Sequence, residues 1–124
     1  MLTIIERAVR QTLIRVYRGE IQQPKFPRRI GYKALWKRHS SRNAVWNRGK
    51  HLDDVVKWII HISNYDEAHN PPCPPLNSIV IRLDTGQPGK GWKEWNMHHR
   101  RPYSSITEAQ NACWAKWPET HSAR

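Results

Sequence analysis

The chain has 124 residues, room for one domain with one modest hydrophobic core and not for two. Lys and Arg number 21 against 10 Asp and Glu, and self-repulsion from a net charge of +11 suits a chain that meets a polyanion: DNA, RNA or an anionic membrane. No apolar run approaches the roughly 20 residues that span a bilayer, the N-terminus lacks the pattern of a secretory leader, and Cys73 and Cys113 form no CxxC pair, so the expectation is a cytoplasmic protein with no membrane partner, disulfide scaffold, metal or cofactor.

In chain order, Thr3 followed by Glu6 forms a capping box, and the apolar residues Ile5, Ala8, Val9, Thr12, Leu13 and Val16 recur at helical spacing. A helix is expected over 3–18, with Gly19 as its stop. Pro24, Pro27 and Gly31 make 20–31 a loop. A short helix is expected over 32–39, with Tyr32, Leu35 and Trp36 inward, then a polar loop that Trp46 pins to the core. Residues 51–69 carry the clearest helical pattern, through Leu52, Val55, Val56, Ile59, Ile62 and Tyr65. Asp53 and Asp54 are read into its first turn, and Asn70, Pro71 and Pro72 end it.

Beyond the prolines, Asn77 to Leu83 alternates, with Ile79, Ile81 and Leu83 on one side and Ser78, Val80 and Arg82 on the other. Asp84-Thr85-Gly86 starts a turn, and Trp92 to Trp95 reads as a returning strand, so a β-hairpin is expected near 77–95. Ser105 with Glu108 is a second capping box, for a helix over 106–117 ended by Pro118. The expected fold class is α+β: a mostly helical single domain, 1–124, with a small β-hairpin, winged-helix-like.

From Lys25 to Lys50 there is no Asp or Glu, while Phe26, Tyr32, Trp36 and Trp46 are interleaved with nine cations. Unopposed cations attract phosphates by releasing condensed counterions, and aromatic rings among them stack on unpaired bases. Candidate phosphate contacts are Arg28, Arg29, Lys33, Lys37, Arg38, Arg42, Arg48 and Lys50, with Lys90 and Lys93 in the glycine-rich loop of the hairpin. The first helix is also basic and amphipathic, but its apolar face lacks the Trp and Phe of a membrane-surface helix, so core packing is its expected role.

Gly31-Tyr32-x-x-Leu35, the proline-bounded Cys73 and Asp84-x-Gly86 to Gly91 together resemble, over roughly residues 5–92, the DNA-binding half of alkylguanine-DNA alkyltransferases and alkyltransferase-like proteins. The resemblance implies a winged helix that draws an alkylated base into a pocket. It does not extend to the catalytic motif: the family's Pro-Cys-His-Arg has His beside its nucleophile, and here Pro72-Cys73 is followed by Pro74-Pro75. Without an adjacent base Cys73 stays mostly a thiol, so only the fold carries over. The third helix also argues against a recognition helix, because Asp53, Asp54, Asp66 and Glu67 are read as exposed on it.

The expected function is non-enzymatic binding of DNA or RNA. One alternative is a small phage or mobile-element protein that blocks a host complex through exposed Trp46, Trp92 or Trp95. Another is a basic nuclease or toxin that uses His98 and His99 beside Arg100 and Arg101.

Overall fold

The structure, a computed structural model, describes residues 1–21, 28–41, 43–69, 73–98 (Lys90 by its backbone alone) and 102–118. The elements run α1 (Ile4–Tyr17), β1 (Ile30–Gly31), α2 (Tyr32–His39), α3 (Arg48–Glu67), a 3₁₀ turn (Leu76–Ile79), β2 (Val80–Ile81), α4 (Lys90–His98) and α5 (Ile106–Lys116). This is a mostly helical α+β domain with one small sheet. Among the described residues, no helix is long and apolar enough to cross a membrane.

Both halves of the capping box at α1 form: the Glu6 N–H donates to Thr3 Oγ1 at 3.1 Å, and the Thr3 N–H to Glu6 Oε1 at 3.0 Å. The helix ends where Gly19 turns into left-handed backbone at φ 78°. Its buried stripe differs from the expected one. Ile5 is 45% exposed and Ala8 is also exposed, while Glu6 is buried beside the expected Val9, Thr12, Leu13 and Val16. Partners satisfy both buried polar side chains. Glu6 bonds His61 Nδ1 at 2.7 Å, and Thr12 Oγ1 bonds His39 Nε2 at 2.9 Å.

α3 is the spine, packed against α1, α2, α4 and the 3₁₀ turn. It starts at Arg48, three residues before the expected start, so Asp53 and Asp54 lie in its second turn. Val55, Val56, Ile59 and Ile62 are buried as expected, and Tyr65 is 38% exposed. Asp66 is not on the surface. Its side chain is fully buried, with Arg10 Nη2 2.9 Å from Oδ1 and Arg10 Nε bonding both carboxylate oxygens.

The hairpin near 77–95 is replaced by other structure. Residues 76–79 form the 3₁₀ turn, and β2 pairs with β1 in parallel, Ile30 with Val80 and Gly31 with Ile81. Ile79, Val80 and Ile81 are each 0% exposed, so the alternation read into this segment has no solvent face; a strand buried on both sides suits a parallel pair. The antiparallel return is one bridge, Ile81 to Pro88, after which the chain enters α4. Trp92 and Trp95 lie one helical turn apart and bury themselves with Ala109, and Trp95 Nε1 donates to Asn64 Oδ1 on α3 at 2.8 Å. Packing on α3 thus selects helix where the short local pattern also admits a strand. A wing hairpin has no counterpart in 77–95.

Gly91 lets α4 approach α3. A Cβ there would collide with Ile59 Cδ1 and stand 2.9 Å from Cγ1, and Ile59 is fully buried. Gly91→Ala is expected to destabilise the fold by ~1–3 kcal/mol as an overpacked contact. Urea denaturation checks this, and an unchanged midpoint would contradict the close approach.

His39 gives the fold a pH dependence. Burial first, then the neighbouring Arg38 charge, holds its pKa below the ordinary 6.5. The unfolded chain therefore takes up this proton before the folded one, and the contribution is present above pH 6.5 and lost as pH falls through the folded value. Melting curves between neutral and mildly acidic pH should show the decline, and His39→Gln should flatten it. An equal slope in both proteins would assign the effect elsewhere.

Candidate functional site

Four separated stretches of chain enclose a groove of about 650 Å³. One wall begins at α2. Tyr32 is buried, and its hydroxyl accepts the Gly91 N–H at 3.3 Å, tying α2 to the start of α4. Lys33, the next residue, is exposed at the rim.

A second wall is Trp46, whose ring meets Trp36 edge-on at 5.5 Å. His51 stacks on Trp36 at 4.2 Å, and its Nδ1 accepts the Asn47 N–H at 2.9 Å. This cluster holds the loop, and with it Trp46, beside the start of α3. Arg48 stands there at the rim, with Leu52 one turn further on. The first turn of α3 holds Arg48 and Lys50 and no acid, although the positive end of a helix dipole favours carboxylates. Dipole and side chains together make this corner attractive to an anion.

The opposite side is the turn after β2. Leu83 contributes apolar surface over the buried Ile81, and Arg82 and Asp84 are bound to each other at 2.8 Å. The Arg82 hydrogen bond is the main reason that the Asp84 carboxyl sits below its ordinary range. Lys93 and Glu94 of α4 complete the lining. Four cations (Lys33, Arg48, Arg82, Lys93) thus face two carboxylates (Asp84, Glu94) around a floor of Leu52, Leu83 and aromatic carbon, with the fully buried Ile81 beneath it. The chemistry is that of an anion with an apolar body.

Of the expected contacts, Lys33, Arg48 and Lys93 meet in this groove. Lys37 and Arg38 continue along α2 and Lys50 along α3, exposed and outside it. Arg42 and the Lys90 side chain lie outside the described residues, as do His99, Arg100 and Arg101; His98 is exposed at the end of α4.

Arg28 and Arg29 turn the other way. Arg28, in left-handed backbone at φ 59°, donates through Nε to the Tyr17 carbonyl and through Nη2 to that of Trp117 at 3.4 Å. Arg29 Nη2 donates to Gln110 Oε1 at 3.2 Å. Both guanidiniums stand over the Trp114 ring, at 5.4 and 5.0 Å. They fasten α5 to the body. Arg82 is the groove cation absent from the expected contacts, and its one signal in the sequence is a place on the polar side of the segment 77–83.

Trp92 is 8% and Trp95 5% exposed, so neither presents itself to a partner; Trp46 is half-buried. Both cysteines are free thiols. Burial pushes Cys113 up to about 12, and its Sγ donates to the Pro75 carbonyl at 3.1 Å, which keeps it a packed thiol. No family model matches this chain, and no curated protein or solved structure matches it. The functional reading therefore rests on the groove.

Proposed function

We propose that this protein binds nucleic acid without chemistry. In this reading Lys33, Arg48, Arg82 and Lys93 hold phosphates, and the floor beside Trp46 receives an unpaired base. The carrying observation is the four-cation rim around an apolar, aromatic recess. Phosphates alone gain nothing from such a floor, because desolvating apolar surface against an anion is no benefit. A base has an apolar face that does gain, and stacking on an aromatic side chain is worth ~1–3 kcal/mol. A duplex keeps its bases stacked on one another, so the preferred ligand is single-stranded. Lys37 and Lys50 extend the cationic track beyond the groove.

Fluorescence anisotropy with labelled single-stranded DNA, single-stranded RNA and duplex DNA across a salt series tests this. The expected result is tighter binding to a single strand, with a log–log salt slope near ~−3, about 0.7 for each of the four contacts. Absence of binding to all three at low salt would refute the reading, and a clear preference for duplex would refute the role given to the floor.

A further inference from the structure

We infer, resting on the single-strand reading above, that Glu94 of α4 selects the base, and that guanine is the preferred occupant of the groove. The rim cations hold phosphates, which every nucleotide carries, so a preference among bases has to come from a group that meets a base edge.

The two carboxylates of the groove differ. Asp84 is engaged by Arg82 at 2.8 Å. Glu94 lines the same groove half-buried and, among the described residues, has neither a hydrogen bond nor an ion pair. Capping does not account for it. α4 begins at Lys90, so Glu94 stands past the first turn, the only part of the helix where the dipole favours an acid. In a groove that holds phosphates, an unpaired carboxylate repels the ligand's backbone and has lost part of its own water. Hydrogen-bond donors on the ligand offset that cost, because an ionised carboxylate is an acceptor only. The N–H donors of a nucleic-acid strand all lie on base edges.

Glu94 also sits on fixed backbone. The Gly91 N–H donates to the Tyr32 hydroxyl at 3.3 Å, and Trp95 Nε1 donates to Asn64 Oδ1 at 2.8 Å, so both flanks of Glu94 tie α4 to the body. A carboxylate held this way discriminates by the pattern of donors it meets. Guanine presents N1–H and the N2 amino group side by side, one donor for each carboxylate oxygen. Adenine and cytosine present one amino group next to a ring-nitrogen acceptor, which repels the second oxygen. Thymine and uracil present a single N–H between two carbonyl oxygens. A ribose 2′-hydroxyl supplies one donor whatever the base. Guanine alone matches both oxygens, and a bidentate pair of this kind discriminates by about tenfold or more.

Fluorescence anisotropy tests this with short thymine DNA and uracil RNA oligomers, each unsubstituted or carrying one central guanine, hypoxanthine or adenine. Hypoxanthine keeps N1–H and lacks the N2 amino group. The guanine oligomer should bind tightest, by about tenfold or more over the unsubstituted one, with hypoxanthine between them and adenine near the unsubstituted level. The salt slope should be the same with and without guanine, because the added contact is to a base and not to a phosphate. Glu94→Gln offers one acceptor and one donor in place of two acceptors. It should abolish the advantage of guanine while binding to the unsubstituted oligomers persists. Equal affinity for all four bases would overturn the inference and leave the single-strand reading standing, as would a preference for RNA whatever the base. A guanine preference that survives Glu94→Gln would also overturn it. Absence of binding to every oligomer would overturn both.

Discussion

Replacing Arg48 and Lys93 together with Glu is expected to lower affinity for a single strand by about a hundredfold or more. A charge-assisted hydrogen bond contributes ~1.5–3 kcal/mol and each ~1.4 kcal/mol is a factor of ten, so losing two cations and gaining two anions at one rim reaches that size. Both residues are exposed, so circular dichroism should show an intact fold. The salt slope should become shallower by about 1.4, the share of two phosphate contacts. Asp84→Asn should act in the opposite direction, because it frees Arg82 from its 2.8 Å partner. Arg28→Ala should leave affinity nearly unchanged and lower stability, since Arg28 fastens α5 and stands away from the groove. Anisotropy on these variants separates the groove from general surface charge. An equal loss from Arg28→Ala and from the Arg48/Lys93 pair would show that only net charge matters.

Arg10→Ala is expected to be the most damaging single substitution for the fold, costing ~3–5 kcal/mol, because it leaves the fully buried Asp66 carboxylate without its partner. A domain of this kind has only ~5–15 kcal/mol in total, so the loss is a large share. Its pH dependence identifies the cause. In the wild type burial already holds the Asp66 carboxyl above its ordinary 3.8, with the Arg10 hydrogen bond and charge pulling down without prevailing. A folded value raised above the unfolded one gives a contribution fully present below pH 3.8 and lost as pH rises through the folded value. Removing Arg10 raises the folded value further. The cost of Arg10→Ala should therefore be small in acid and full at neutral pH, and Asp66→Asn in the same background should recover part of it. Urea titrations at the two pH values measure this, and an equal cost at both would place the damage in lost packing.

The helical part of this fold was legible because its signals are local. The Thr3–Glu6 box, the stripe through Val9, Leu13 and Val16, the run Val55, Val56, Ile59, Ile62 and the Ser105 cap each lie within a few turns of one helix, and the structure places α1, α2, α3 and α5 close to the expected bounds. The segment 77–98 was not legible. Ile79, Val80 and Ile81 are buried on both faces because β1 lies beside them, and β1 is fifty residues earlier in the pairing Ile30 with Val80. Trp92 and Trp95 become helical because α3 offers them a surface and Asn64 a bond. Nothing local distinguishes these outcomes from a hairpin.

The site divides along the same line. Composition alone determined that this chain is strongly cationic, and the acid-free run from Lys25 to Lys50 determined where much of that charge lies along the chain. Which of those cations face one another was decided only by tertiary structure. Arg28 and Arg29 are taken up by Trp117, Gln110 and Trp114, partners more than eighty residues away in sequence, so no reading of their own neighbourhood could remove them from the list. Arg82 joins Lys33, Arg48 and Lys93 because β2 runs beside β1 and delivers the turn that follows it to the mouth of the groove. Charge is a property each residue carries with it. A site is a matter of distances, and those are set by packing between segments that sequence keeps apart.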